Sequence, residues 1–74
     1  MIKIYSTPTC PYCDMAKNYF KEKGIEYEEA DVSSDMKARE EMISKSSQMG
    51  VPVIDINGTI IVGFNRTEID GALK

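Results

Sequence analysis

Residues 2–32 carry the pattern that most restricts the fold: an apolar strand, a break, an amphipathic helix and a second strand in close succession. The run IKIYS, residues 2–6, places Ile2 and Ile4 on one face and ends against Thr7 and Pro8, so it reads as a strand. From Pro11 the sequence PYCDMAKNYFKEK contains no glycine and no further proline. Its Cys13, Ala16 and Phe20 fall along one stripe, and Gly24 is expected to cap its end. That pattern predicts a helix of about three turns. Pro11 suits the first turn, where its missing N–H has no helical partner to lose. In IEYEEADV, residues 25–32, the apolar Ile25, Tyr27, Ala30 and Val32 are interleaved with acids, as in a strand with one buried face. A helix joining two neighbouring strands is a crossover, and a crossover makes the pair parallel.

The remainder fits around that unit. SSDMKAREEMISKSS, residues 33–47, reads as a second helix, with Ser33 or Ser34 as its cap, Asp35 in its first turn and Met36 and Ile43 seven apart on one side. VPVIDI and TIIV then flank Asn57-Gly58, the strongest short hairpin signal there is. A last helix is expected from about Asn65 to Lys74, weakened by Gly71. The order is βαβαββα, an α/β chain with a four-stranded mixed sheet and three helices. Seventy-four residues make one small domain, with no room for a second and no repeat, linker or low-complexity segment.

Two cysteines, Cys10 and Cys13, stand where the first strand meets the first helix, and the chain has no others. The N-terminal residues show no signal-peptide pattern, and no segment is apolar long enough to span a bilayer, so a cytoplasmic protein is expected. There a permanent disulfide is uncommon, and so short a loop would remove little entropy from the unfolded chain. The sequence has no third cysteine and no histidine, so a closed zinc site would need carboxylates or a second subunit. Without histidine a Cys-His hydrolase is also excluded. Nine Lys and Arg against twelve Asp and Glu, with no basic cluster, argue against nucleic acid and anionic membrane as partners.

Redox chemistry remains, beside the plainer alternative of two inert, buried apolar residues. At the edge of the helix Cys10 faces unpaired N–H groups and the positive end of the dipole, which stabilise a thiolate. Cys10 is therefore the expected nucleophile. Cys13, three residues on and facing the protein body, is placed to attack a mixed disulfide formed on Cys10.

Taken together, TCPYC and GVPVIDINGTIIVGF make the chain resemble a compact glutaredoxin, and within that family the short bacterial glutaredoxin-like proteins that include the NrdH type. The resemblance covers the whole chain and implies a thioredoxin fold. It also implies a cis peptide bond before Pro52, beside the cysteines, that exposes the Val51 main chain to an extended substrate, with Tyr12 packing near the bound partner. No cofactor is implied as permanently bound; glutathione is the implied co-substrate and disulfide-containing proteins are the implied partners of a monomer.

The implied glutathione site departs from the family pattern. Thr7 stands where glutathione-using members often carry a lysine, whereas Arg39 matches the family's basic or amide residue on the second helix. Before the third helix, VGFNRT puts Val62 in place of one of two glycines and keeps Gly63. Phe64 follows, and Asn65 and Arg66 replace the acids that hold the amino group of glutathione. This segment is closer to the NrdH type, for which thioredoxin reductase is the implied reductant and ribonucleotide reductase the associated target. A different class of function, an iron-sulfur cluster carried between two monomers by one thiolate from each, stays open beside the oxidoreductase.

Overall fold

A computed structural model describes residues 2–73. Strand β1 (Ile2–Ser6) leads to helix α1 (Pro11–Glu22), followed by β2 (Glu28–Asp31), α2 (Met36–Ser46), β3 (Val53–Ile56), β4 (Thr59–Val62) and α3 (Arg66–Leu73). The sheet order is β2-β1-β3-β4; β1 pairs parallel with β2 and antiparallel with β3, which pairs antiparallel with β4. This is the expected mixed sheet with three helices.

Both faces of the sheet are covered, because alternate side chains of β1 and β3 serve two cores. Ile2, Ile4, Ile54 and Ile56 pack with Ala16 and Phe20 of α1 and Ile69 of α3. Tyr5 and Val53 pack on the opposite face with Ala38 and Met42 of α2. The expected stripe Cys13, Ala16 and Phe20 is fully buried.

Several boundaries differ from expectation for identifiable reasons. Lys23 caps α1 in a right-handed conformation, and Gly24 follows it with φ 69°. Gly24 donates to Lys21 O at 3.1 Å and Ile25 donates to Phe20 O at 3.0 Å, the bond pair that closes a helix on a left-handed glycine. Strand β2 is shorter than residues 25–32. Ile25 and Tyr27 pack with the α1 core whereas Ala30 and Val32 lie in the α2 core, so the two apolar pairs serve opposite faces of the sheet and the segment has no single buried face. The cap of α2 is Asp35, whose carboxylate accepts from Ala38 N at 3.1 Å, not Ser33 or Ser34. Ser33 is engaged by Asp31, and a carboxylate also matches the helix dipole better than a hydroxyl. Met36 is 69% exposed, whereas Ile43 is half-buried against the core that Ala38 and Met42 fill, so of the expected pair only Ile43 faces inward.

Elsewhere the turn chemistry holds. Asn57 and Gly58 have φ 51° and 100°, the doubly left-handed geometry of a tight hairpin, with Ile56 opposite Thr59. Strand β3 begins at Val53, two residues later than expected, since Pro52 has no N–H for the ladder. Helix α3 starts at Arg66 and runs through Gly71 to Leu73; Lys74 lies outside the described residues. Among the described residues no helix is long and apolar enough to cross a membrane.

On the α2 face the Tyr5 hydroxyl donates to Glu41, which also pairs with Lys3 at 3.2 Å and Lys45 at 3.5 Å. The bond from Tyr5, then that from Lys3, lowers the Glu41 carboxyl from its ordinary 4.5 to about 2. A depressed carboxyl adds stability that is present above about pH 4.5 and is lost as pH falls through about 2. Solvent reaches 43% of the Glu41 side chain, so screening holds the contribution to about 1 kcal/mol. Replacing Glu41 with Gln should lower the melting temperature at pH 7 by about 4–8 °C. It should also flatten the loss of stability between pH 4.5 and 2, as followed by circular dichroism melts.

Candidate active site

The sheet register gathers the site at one end. Tyr5 of β1 lies opposite Val53 of β3, and Val53 lies opposite Val62 of β4. The end of β1, the start of β3 and the end of β4 therefore share an edge. The Cys10 turn, the Val51–Pro52 peptide and Gly63 all sit there.

The chain leaves β1 at Ser6, crosses residues 7–9 and enters α1 with Cys10 as N-cap in an extended conformation, φ −102° and ψ 108°. Cys10 Sγ accepts from Cys13 N at 3.2 Å, and its carbonyl accepts from Asp14 N at 3.2 Å. A sulfur thus occupies the position that a serine or aspartate oxygen usually takes at a helix start. The cap bond and the positive end of the dipole both favour negative charge on that sulfur. Both cysteines are free thiols; Cys10 is half-buried and Cys13 is fully buried.

Burial is the main cause that pushes the Cys13 thiol up to about 12, and its hydrogen bond with Cys10 acts in the same direction. A backbone hydrogen bond from Thr7 and the charge of Lys17 oppose the rise. Lys17 is a residue that the sequence reading missed. It lies one turn beyond Cys13, with its ammonium 2.9 Å from Glu29 and 3.5 Å from Asp14. The i, i+4 spacing from Cys13 was the available signal.

The remaining predicted residues fall into separate groups. The Val51–Pro52 bond is cis. Pro52 is buried and accepts from Gly63 N at 2.8 Å, while Val51 is half-buried and precedes the β1–β3 ladder, which begins at Val53. Phe64 stacks edge-on against Tyr19 with ring centres 5.9 Å apart, and the Arg66 guanidinium lies 5.3 Å from the centre of the Tyr19 ring. Asn65 Oδ1 accepts from Glu68 N at 3.1 Å, so Asn65 caps α3. Tyr12 is 61% exposed between the cysteines. Arg39 is exposed on α2, and no ion pair among the described residues involves it. Among the described residues no group of three or more His, Cys, Asp or Glu is placed to hold a metal ion.

A sequence model of the glutaredoxin family matches residues 2–61. The chain belongs to the glutaredoxin family. It is 63% identical over 74 residues to the uncharacterised glutaredoxin-like 8.6 kDa protein in the rubredoxin operon of Clostridium pasteurianum, covering all of this chain and 99% of that one. It is 39% identical over 62 residues to glutaredoxin 3 of Escherichia coli strain K12, covering 84% of this chain and 75% of that one. The fold superposes on a crystal structure of the thioredoxin-like protein BC3987 with TM-score 0.91 at 29% identity, covering 97% of this chain and 99% of the other. As a glutaredoxin, the protein is a thiol-disulfide oxidoreductase.

The contrast between the two thiols has a direct readout. Iodoacetamide at pH 8 should add one equivalent to the reduced protein, at Cys10, as located by peptide mass spectrometry. In Cys10→Ser the burial of Cys13 remains, so its alkylation should stay slow at pH 8 and accelerate only in strong alkali. Fast labelling of Cys13 at pH 8 in folded protein would show that burial does not retain its proton.

Proposed function

We propose that this glutaredoxin reduces disulfides on proteins, and mixed disulfides with glutathione, through a two-cysteine exchange that Cys10 begins and Cys13 completes. The observation that carries the assignment is the Cys10 sulfur at the mouth of α1, accepting the Cys13 N–H at 3.2 Å, above a fully buried Cys13. In the first step the Cys10 thiolate attacks one sulfur of the substrate disulfide. A Cys10 mixed disulfide forms, and the other sulfur leaves as a thiolate that takes a proton from water. In the second, Cys13 loses its proton and attacks Cys10 Sγ; the Cys10–Cys13 disulfide forms and the second substrate sulfur leaves. Two thiols of glutathione then supply the electrons that restore the pair, and they leave as glutathione disulfide.

Substrate docking follows from the same edge. Val51 precedes the ladder at the end of the sheet to which β1 and the Cys10 turn also lead. An extended chain adds there as a further strand and brings its sulfur to Cys10. Tyr12, exposed between the cysteines, packs against that chain.

The exchange predicts an asymmetry between variants. Cys10→Ser should abolish disulfide reduction. Cys13→Ser should accumulate a mixed disulfide visible by intact mass, while retaining turnover with glutathione, which resolves Cys10 from solution. Reduction of a protein disulfide at full rate by Cys10→Ser would overturn the assignment.

Glutathione is held weakly in this proposal, on grounds of charge. It carries two carboxylates and one ammonium. Arg39, with no ion pair among the described residues, can meet one carboxylate. The ammonium has no anionic partner at residues 65 and 66: Asn65 Oδ1 already caps α3, and Arg66 brings positive charge. Exchanging a charged hydrogen bond for a neutral one costs roughly tenfold in affinity. Asn65→Asp combined with Arg66→Asp keeps an aspartate cap on α3 and should lower the glutathione Michaelis constant severalfold in a coupled assay. No decrease, or tight binding by the unaltered protein, would defeat the charge argument. The same assay run with thioredoxin reductase in place of glutathione and glutathione reductase measures the alternative NrdH-type supply of electrons.

A further inference from the structure

Gln48 lies in the link between α2 and β3, one residue past Ser47, whose φ is 60°. Its carboxamide meets one residue twice: Oε1 accepts from Gly50 N at 2.8 Å and Nε2 donates to Gly50 O at 3.0 Å. Because one planar amide satisfies both groups, the Gly50 N–H and C=O point the same way, as they do in a strand facing a partner. The side chain of Gln48 stands in for a neighbouring strand on that side.

Val51 comes next, at a bend in the chain. The Gly50–Val51 peptide is planar and trans, so the Val51 N–H points opposite to the Gly50 C=O and away from Gln48. Both ends of this segment are fixed. On one side Ser46 Oγ lies 2.7 Å from Met42 O and 3.1 Å from Gln48 O, tying the link to the last turn of α2. On the other, Gly63 N donates to Pro52 O at 2.8 Å. Residue 50 must be glycine for the carboxamide to fit, because a Cβ there would lie 2.7 Å from Gln48 Oε1.

We propose that Gln48 is a positioning residue for substrate docking: by bonding both peptide groups of Gly50 it fixes the direction in which Val51 offers its N–H to an incoming extended chain. The proposal rests on docking at Val51, as argued above. It makes the preference for substrates with a peptide main chain beside the disulfide depend on a residue that touches neither substrate nor sulfur.

Two disulfides with the same leaving group separate docking from sulfur chemistry: thionitrobenzoate joined to a cysteine in an extended hexapeptide, and thionitrobenzoate joined to mercaptoethanol, which has no main chain. Stopped-flow release of thionitrobenzoate by the full-length reduced protein reads both. Gln48→Ala should slow the peptide reaction about fivefold, the effect of one poorly aligned hydrogen bond. It should leave the mercaptoethanol reaction within about twofold. Gln48→Glu keeps the acceptor but not the donor and should fall between. Gly50→Ala displaces the carboxamide and should reproduce Gln48→Ala, with no further loss when the two are combined. An unchanged peptide rate in Gln48→Ala, or an equal loss on both substrates, overturns the role of Gln48 while docking at Val51 stands. Absence of any peptide preference in the unaltered protein overturns docking at Val51, and this proposal with it.

Discussion

Cys10 holds the first turn of α1 with a sulfur. Its bond to Cys13 N, at 3.2 Å, closes the helix start, and the same sulfur belongs to the more accessible of the two cysteines. Much of the site follows from this one contact. The extended backbone of a cap residue turns its side chain back over the open N–H groups, where negative charge is favoured by both the hydrogen bond and the dipole. The helical positions after the cap send residue 13 inward, so two sulfurs three residues apart meet different surroundings. Pro11 occupies the first helical position between them without forfeiting a helical bond.

Sheet pairing brings the second half of the site to the first. With Tyr5 opposite Val53 and Val53 opposite Val62, three chain segments reach one end of the sheet together: the turn before α1, the Val51–Pro52 peptide and Gly63. The two cores on either face hold these strands in register, because a slip of one residue would exchange Ile4 and Ile54 for Tyr5 and Val53 across the sheet. Core and site are thus linked: the alternation that gives each face its partner helix also fixes which residues stand beside Cys10.

Features set by local rules could be read directly from the sequence. Asn57-Gly58 needed only the left-handed tolerance of its residues, the stripe Cys13, Ala16, Phe20 only the helical period, and the cysteine pair only its place at the strand-to-helix joint. Choices decided by competition were less legible. Ser33 and Ser34 are good caps in isolation, but Asp31 engages Ser33 from the end of β2, and Asp35 is left to cap α2. Ile25 and Tyr27 have the apolar character of a strand, yet the chain turns back at Gly24 and packs Tyr27 against Phe20, a contact set by how α1 closes and not by strand alternation. Lys17 showed its spacing from Cys13 but not its carboxylate partners, one of which comes from β2. The doubly bonded carboxamide of Gln48 left no sequence signal at all, since it depends on how α2 ends.

The burial of Cys13 raises a question of timing. A buried thiol held at about 12 is a poor nucleophile at neutral pH, yet resolution in the proposed exchange needs its thiolate. Part of the rise comes from Cys10 itself, through the hydrogen bond between the two sulfurs and the charge on the first. Those contributions last only while Cys10 is free. Once Cys10 is bonded to a substrate sulfur it carries no charge, and the repulsion that held the proton on Cys13 is removed. Burial, the largest cause, persists, and the charge of Lys17 and the Thr7 backbone bond continue to oppose it. The proton on Cys13 is therefore held most firmly while Cys10 is an unbonded thiolate and more loosely after the first exchange, the stage at which the second sulfur has to act.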